Sequence, residues 1–257
     1  NSRYLVFKSS KMSKSSENKD FLFYNNNIIS TDNKGRIYVY SLEQKKKIFE
    51  YNFYKNKFKK YRKEINIAIS GGKIYASDNL GYIYVIEINS GKLIWAKYFG
   101  IPFRSNIKIV GESIFLANED NKIYCLKSSN GEKIWEFATS LTKLKSVFKN
   151  NIAVNEKNNN VFFLNTSGEL YSINYLNQGI NWFVNLKNEK SILDTSLFLS
   201  SPLVIGSNKI LVSSGNFLLN YDSLSGKEIW KHNMPIRKKI TLTKKNIFLF
   251  TKNNFLI

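Results

Sequence analysis

Short runs of apolar residues alternate with short polar breaks along most of the chain, and this pattern predicts β-strands. In residues 73–99 the runs KIYASD, YIYVIEI and LIWAKYF are separated by the breaks NLG and NSGK. β-Branched and aromatic residues favour strands, and breaks of Asn, Ser and Gly favour tight turns. Because YIYVIEI is apolar at nearly every position, we expect both of its faces to be covered. Stacked sheets provide such cover, whereas an isolated hairpin does not.

The same pattern returns at a nearly constant period. The anchors of the repeat are 46, 40, 47 and 48 residues apart, and they are Phe49 (a degenerate copy), Trp95, Trp135, Trp182 and Trp230. Eleven residues before these anchors lie Tyr38, Tyr84, Tyr124, Tyr171 and Leu219. Fourteen residues before them lie Gly35, Gly81, Asn121, Gly168 and Asn216, which tolerate a positive φ. Such self-similarity is the signature of a repeat architecture.

Each repeat predicts four strands, because a further apolar run such as EINIAIS (64–70) precedes each trio. The predicted fold is therefore all-β, a β-propeller of four-stranded antiparallel blades. A β-solenoid usually has shorter repeats, and a β-sandwich would lack the period. The predicted blades cover about 21–53, 65–99, 106–139, 150–186 and 200–234, with part of a sixth at 238–257, in one domain over residues 1–257.

The best copies, KIYASDNLGYIYVIEINSGKLIW and NYDSLSGKEIW, resemble the quinoprotein-type (PQQ-like) repeat. The resemblance implies that a glycine turns the chain into the outermost strand and that a tryptophan then docks against the neighbouring blade. It assigns these structural roles to Gly91, Gly131, Gly226, Trp95, Trp135, Trp182 and Trp230. The alternative is that the tryptophans bind a ligand.

Residues 100–135, GIPFRSNIKIVGESIFLANEDNKIYCLKSSNGEKIW, resemble a central blade of the BamB family of scaffold lipoproteins. The resemblance implies a non-catalytic protein–protein scaffold that assists β-barrel assembly in the bacterial outer membrane. It further implies a periplasmic, outer-membrane-associated protein, a monomer within a complex, whose partner is the periplasmic part of the barrel-assembly subunit. No signal or lipid anchor is visible in this sequence. Since members of that family have eight blades, the sequence is expected to be a fragment of a seven- or eight-bladed propeller.

The resemblance also implies a partner-binding site. In the segment Ile101-Pro102-Phe103-Arg104, Phe103 is expected to serve as an apolar anchor and Arg104 as a charged donor, residue types that are enriched at interface hot spots. The alternative is a connector with an exposed arginine. Asp194 is the acidic candidate at the entry to a later blade. There the chain departs from the family, because Leu197 and Leu199 stand where family members carry acids.

The net charge of +20 indicates an anionic partner, although only five of the 39 basic residues are arginine. The alternative is codon bias, since Lys, Asn and Ile share AT-rich codons. The sharpest local feature is KNKFKKYRK (55–63), where basic residues interleave with Phe58 and Tyr61. Such a run suits single-stranded nucleic acid or an anionic membrane surface, and it is also typical of a solvated loop between blades. We expect no nucleic acid partner.

Candidate catalytic chemistry is sparse, so we expect no enzyme activity, cofactor or metal. Cys125 and His232 are each the sole residue of their type, which excludes an internal disulfide, a Cys pair and a two-His metal site. Glu119 and Asp120 are expected in a solvated turn, and Ser70-Gly71-Gly72-Lys73 in a hairpin turn. The alternative function is a PQQ-dependent quinoprotein oxidoreductase, or a basic propeller that binds nucleic acid or an anionic surface.

Overall fold

The computed structural model describes residues 21–55, 57–139, 151–187, 202–206, 208–214, 216–236, 240–243 and 246–257. Within these ranges the regular elements are all β-strands, and no helix there could cross a membrane. The chain divides into two compact units, with the boundary between Pro102 and Phe103. The single domain predicted over residues 1–257 stays a prediction.

The first unit contains two four-stranded antiparallel sheets, each built from strands consecutive in the chain. The first sheet consists of β1 (Phe21–Tyr24), β2 (Asn27–Thr31), β3 (Arg36–Ser41) and β4 (Lys46–Asn52). The second consists of β5 (Ile65–Ser70), β6 (Lys73–Asp78), β7 (Tyr82–Glu87) and β8 (Leu93–Tyr98). Gly71 and Gly72 form the predicted hairpin turn between β5 and β6, both with positive φ.

The second unit contains three more sheets of the same order. They consist of β9 (Lys108–Val110), β10 (Ser113–Ala117), β11 (Lys122–Lys127) and β12 (Lys133–Ala138); β13 (Asn151–Asn155), β14 (Asn160–Leu164), β15 (Glu169–Asn174) and β16 (Ile180–Asn185); and β17 (Val204–Ile205), β18 (Lys209–Ser214), β19 (Phe217–Asp222) and β20 (Glu228–Asn233). A two-stranded piece follows, β21 (Thr241–Leu242) and β22 (Ile247–Phe248). These sheets confirm the predicted fold class of five four-stranded blades with part of a sixth.

The hydrophobic cores lie between the faces of consecutive sheets. In the first unit Ile29, Ile37 and Val39 of the first blade pack with Ile74 and Tyr84 of the second. In the second unit, one cluster joins the third and fourth blades, another joins the fourth and fifth, and a third joins the fifth to the partial sixth. The second and third strands of each blade are therefore buried on both faces, which accounts for their continuous apolar runs.

Every full blade carries a register shift between its third and outermost strands, immediately before the anchor aromatic. The shifts lie between Val39/Tyr40, Val85/Ile86, Cys125/Leu126, Ser172/Ile173 and Asn220/Tyr221. In the third blade Cys125 pairs with Trp135 and Leu126 pairs with Lys133, so Ile134 is the extra residue. Such a β-bulge re-aims the following side chain. In this fold that side chain is the one expected to dock on the next blade.

Candidate functional site

Phe103 and Arg104 of the predicted binding segment begin the second unit, and their backbone is held against β10. The N–H groups of Arg104 and Ser105 both donate to the carbonyl of Ala117, at 3.0 and 3.2 Å. The Ser105 hydroxyl accepts from the N–H of Ala117 at 2.6 Å. Residue 103 also forms an isolated antiparallel bridge with Asn118. The position of Arg104 is thus fixed by a strand rather than left to a loose connector.

Phe103 lies in the interior, with 1% of its surface exposed. Its ring meets that of Tyr124 edge to face, with the centroids 6.0 Å apart. In this conformation Phe103 has almost no surface to offer a partner, so its burial does not fit the predicted role of an apolar anchor. The physical reason is the bridge to Asn118, which turns the side chain into the blade.

Arg104 keeps about a quarter of its side-chain surface exposed, at 24%. Its Nη2 lies 3.5 Å from Oε2 of Glu119 in the turn between β10 and β11, where Glu119 is only 16% exposed. The expectation of a solvated turn at Glu119 is therefore wrong, because the carboxylate lies against the guanidinium. A partly buried ion pair of this kind restrains the arginine side chain.

The turn that carries Glu119 is itself fixed by a side chain. Oδ1 of Asn118 accepts hydrogen bonds from the N–H groups of Asp120 and Lys122, both at 3.0 Å, while its Nδ2 donates to the Tyr124 hydroxyl at 3.2 Å. Asn121 takes a positive φ of 59°. Asp32, Asp78 and Asn165 hold the corresponding turns of other blades by the same pair of backbone hydrogen bonds.

Buried polar side chains then connect this turn to the fourth blade. The Asn121 amide donates to the Thr166 hydroxyl at 2.8 Å and accepts from the Thr166 N–H at 3.1 Å. The Thr139 hydroxyl donates to the Asn121 carbonyl at 3.2 Å and accepts from Asn165 Nδ2 at 3.2 Å. The turns at this end of the third and fourth blades therefore form one hydrogen-bonded platform, with Arg104 at its border.

Sequence reasoning missed most of this platform. The repeat marks Asn121, fourteen residues before Trp135, only as a residue that tolerates a positive φ, and Asn118 lies three residues earlier. Thr139 and Thr166 carry no local signal, since their partners lie 18 to 45 residues away. Asp194, with Leu197 and Leu199, lies outside the described residues, so its predicted role stays a prediction.

Within each unit, ring and glycine positions of the repeat lie at the junctions between blades. The Trp182 indole N–H of the fourth blade donates to the Ser223 carbonyl of the fifth at 3.3 Å, and its ring lies over Gly226. Trp135 donates in the same way to the Tyr175 carbonyl at 3.0 Å. Gly91 lies against the Phe49 ring, and Trp230 packs on the core next to the partial sixth blade. Gly131 takes a φ of 69° and Trp95 is half-buried on β8, and their predicted docking roles stay predictions.

A cavity of about 430 Å³ lies among the first strands of the blades in the second unit. Most of its lining residues are of apolar types, although more than half of the surface that lines it is polar, and its ionisable lining side chain is Lys108. The quinone cofactor of quinoproteins is held with Ca²⁺, which requires several oxygen ligands such as carboxylates. The donor set of this cavity does not fit that group. Among the described residues, no three His, Cys, Asp or Glu side chains are grouped to hold a metal.

Cys125 is buried, and His232 lies against an aromatic ring. Burial in β11 raises the pKa of the Cys125 thiol to about 11, which disfavours the reactive thiolate. The His232 ring lies 4.8 Å from that of Trp230 on β20.

Comparison with known proteins gives consistent results. The family described as outer membrane protein assembly factor BamB matches residues 33–257. An uncharacterised protein of Rickettsia prowazekii (strain Madrid E) is 24% identical over 234 residues, covering 89% of this chain and 56% of the relative. BamB of Legionella pneumophila (strain Paris) is 22% identical over 189 residues, covering 68% of this chain and 45% of the relative. The chain thus spans about half of the length of these curated relatives.

Solved structures show the same fold. The crystal structure of BamB from Moraxella catarrhalis has a TM-score of 0.72 at 13% identity, covering 91% of this chain and 70% of that chain. The computationally designed Ika8 protein has a TM-score of 0.71 at 10% identity, covering 92% and 68%. The fold is therefore shared with a computationally designed protein, and any function has to be argued from the site itself.

Proposed function

The chain belongs to the family of the outer membrane protein assembly factor BamB, and from this premise we propose that it is a non-catalytic scaffold that binds a protein partner through Arg104. The proposed partner is the periplasmic part of the barrel-assembly subunit, as for a BamB-like subunit of an outer-membrane assembly complex. An outer-membrane-associated location in the periplasm and a lipid anchor belong to the same proposal.

The observation that carries the proposal is the placement of Arg104. Its N–H and that of Ser105 both donate to the Ala117 carbonyl, and its guanidinium borders a platform of buried polar side chains. A charged donor that is held in place loses little conformational entropy on binding. Arginine in such a setting is typical of an interface hot spot. Glu119 then acts as the positioning residue that keeps the guanidinium at the border of the platform.

The test is a titration of the purified periplasmic domains of the barrel-assembly subunit against the 257-residue chain. We expect Arg104→Glu to weaken binding by about 30-fold, which corresponds to a hot spot of about 2 kcal/mol. Lys157→Glu is the matched control, because it makes the same charge change at an exposed turn of the fourth blade.

Equal affinities for the wild type and Arg104→Glu would remove Arg104 from the site. Equal losses in Arg104→Glu and Lys157→Glu would show that only net charge matters, which would also contradict a specific arginine contact. Glu119→Gln leaves the charge of Arg104 in place but loosens its position. We therefore expect a smaller loss of affinity than in Arg104→Glu.

A further inference from the structure

The connector between β4 and β5 carries an exposed surface that the scaffold proposal does not use. We define the basic aromatic surface by eight side chains of the first unit, which are Lys55, Lys57, Phe58, Lys59, Lys60, Tyr61, Arg62 and Tyr98. All eight are exposed, so the surface faces solvent in the described structure. Its composition combines strong positive charge with large apolar rings.

The positive charge of the basic aromatic surface is almost uncompensated. In the part of the chain that the structure describes, no carboxylate lies within ion-pairing distance of its four lysines. The acid that follows the loop is Glu64, which lies 3.8 Å from Arg62. Like charges that crowd in this way repel one another unless an anion lies between them.

The rings of the basic aromatic surface are joined into a row by Tyr82, a half-buried neighbour that is not itself one of the eight. Tyr98 lies 4.7 Å from Tyr82, Tyr82 lies 6.3 Å from Phe58, and Phe58 lies 6.3 Å from Tyr61, measured between ring centroids. Tyr61 and Tyr98 are 63% and 62% exposed, and Phe58 is 38% exposed. Exposed rings of this size cost free energy in water, so a contiguous row of them marks an interaction site.

A buried lysine holds this loop in shape. Lys63 is 5% exposed, its Nζ donates to the Phe58 carbonyl at 2.5 Å, and the same ammonium lies 5.4 Å from the centre of the Tyr54 ring. The Asn79 amide donates to the Arg62 carbonyl at 3.0 Å. The exposed side chains are therefore presented together on an ordered backbone rather than on a loose tether.

From this combination we infer that the basic aromatic surface docks on a membrane whose headgroups are anionic. Each lysine near an anionic membrane surface adds its own electrostatic attraction, and this attraction does not require a defined contact geometry. Tyrosine and phenylalanine are suited to the headgroup region, where a ring can be half-immersed and a hydroxyl stays wet. The inference goes beyond the proposed scaffold function and rests on different residues, so each can fail without the other.

The geometry favours a lipid surface over single-stranded nucleic acid. Nucleic acid binding requires open ring faces on which bases can stack. In this row neighbouring rings are tilted, by 73° between Phe58 and Tyr61, 57° between Phe58 and Tyr82 and 37° between Tyr82 and Tyr98, so they offer no set of parallel platforms. The surface also holds four lysines and one arginine, whereas specific phosphate contacts favour the bidentate arginine.

The test measures partition of the 257-residue chain onto vesicles of phosphatidylcholine, with and without phosphatidylglycerol, by co-sedimentation. We expect binding only to the anionic vesicles, with release at high salt. Changing Lys55, Lys57, Lys59 and Lys60 together to glutamine should lower the partition coefficient by about fivefold per lysine, and so by several hundred-fold in all. Tyr61→Ser should lower it further by removing the ring from the interface.

A matched control changes four exposed lysines elsewhere, Lys92, Lys157, Lys209 and Lys227, to glutamine and leaves the same net charge. Equal losses in the two fourfold variants, or salt-insensitive binding of the wild type, would overturn the inference. So would tighter binding to a fluorescent single-stranded oligonucleotide than to the vesicles. Arg104→Glu should leave vesicle binding unchanged, which separates this surface from the proposed scaffold site.

Discussion

Asp78 is a fully buried carboxylate at the turn between β6 and β7. Its Oδ1 accepts hydrogen bonds from the N–H groups of Leu80 and Tyr82, both at 2.8 Å, and its Oδ2 accepts from the Tyr54 hydroxyl. Burial raises the pKa of Asp78, although these hydrogen bonds act in the opposite direction. In the third blade the corresponding turn residue is Asn118, whose neutral side-chain amide accepts the equivalent backbone hydrogen bonds.

The first prediction at the residue scale is that Asp78→Asn is tolerated and removes one source of pH dependence. Because the pKa of Asp78 is raised in the folded state, its contribution to stability is complete below the ordinary value of 3.8 and is lost as the pH rises through the folded value. The free energy of unfolding of the wild type, minus that of Asp78→Asn, should therefore fall with rising pH. Urea unfolding across the acidic range measures it.

Asp222→Asn provides a control of opposite sign. Hydrogen bonds from Ser225 lower the pKa of Asp222, so its contribution is present above the ordinary value and is lost as the pH falls. The free energy of unfolding of the wild type, minus that of Asp222→Asn, should thus rise with pH. If this free-energy difference rises with pH for Asp222→Asn but does not change with pH for Asp78→Asn, the raised pKa of Asp78 is contradicted.

At the scale of elements, the strands could be predicted from the sequence, but the bulges could not. Alternation of side chains fails at Ile134, because Lys133 and Ile134 are both exposed before the buried Trp135. The sequence shows two large apolar residues in a row and does not tell which of them faces the core. The structure instead places one extra residue in the outer strand, so that Trp135 points inward while Ile134 stays outside the register. Only pairing with β11 reveals this.

Junctions between blades depend on the glycine that lies under the tryptophan. A Cβ at Gly226 would lie 2.6 Å from the Trp182 ring, and the φ of Gly226 is 71°. We therefore predict that Gly226→Ala lowers the free energy of unfolding by about 2–5 kcal/mol, the sum of left-handed backbone strain and overpacking. Urea unfolding followed by tryptophan fluorescence gives the measurement.

Gly72→Ala is the matched control for the junction. Gly72 has the same φ of 71°, but nothing lies within 4 Å of the position that its Cβ would take. Gly72→Ala should therefore lower the free energy of unfolding only by the left-handed backbone strain, about 1–2 kcal/mol. Equal losses at the two positions would show that the contact with Trp182 contributes nothing.

At the scale of the whole molecule, the fold is predictable because the information is repeated. Five copies of one pattern specify the blades, whereas the candidate site is specified once. The ion pair of Arg104 with Glu119 joins residues 15 apart, and the bond of Asn121 to Thr166 joins residues 45 apart. Neither pairing has a periodic signal. Pairing of the Phe103-Arg104 segment with the end of β10 brings Arg104 to Glu119 and buries Phe103, whereas packing of the third blade on the fourth brings Asn121 to Thr166.

The net charge of +20 acts on the molecule as a whole. Self-repulsion destabilises the compact state relative to the expanded unfolded chain, and salt screens it. We therefore predict that the free energy of unfolding rises between low salt and about 0.3 M NaCl, while vesicle binding falls over the same range. The fourfold variant at Lys92, Lys157, Lys209 and Lys227 lowers the net charge by four and should show a smaller salt stabilisation. Urea unfolding at both salt concentrations tests this, and stabilisation that is the same in the variant would mean that the salt acts through apolar burial instead.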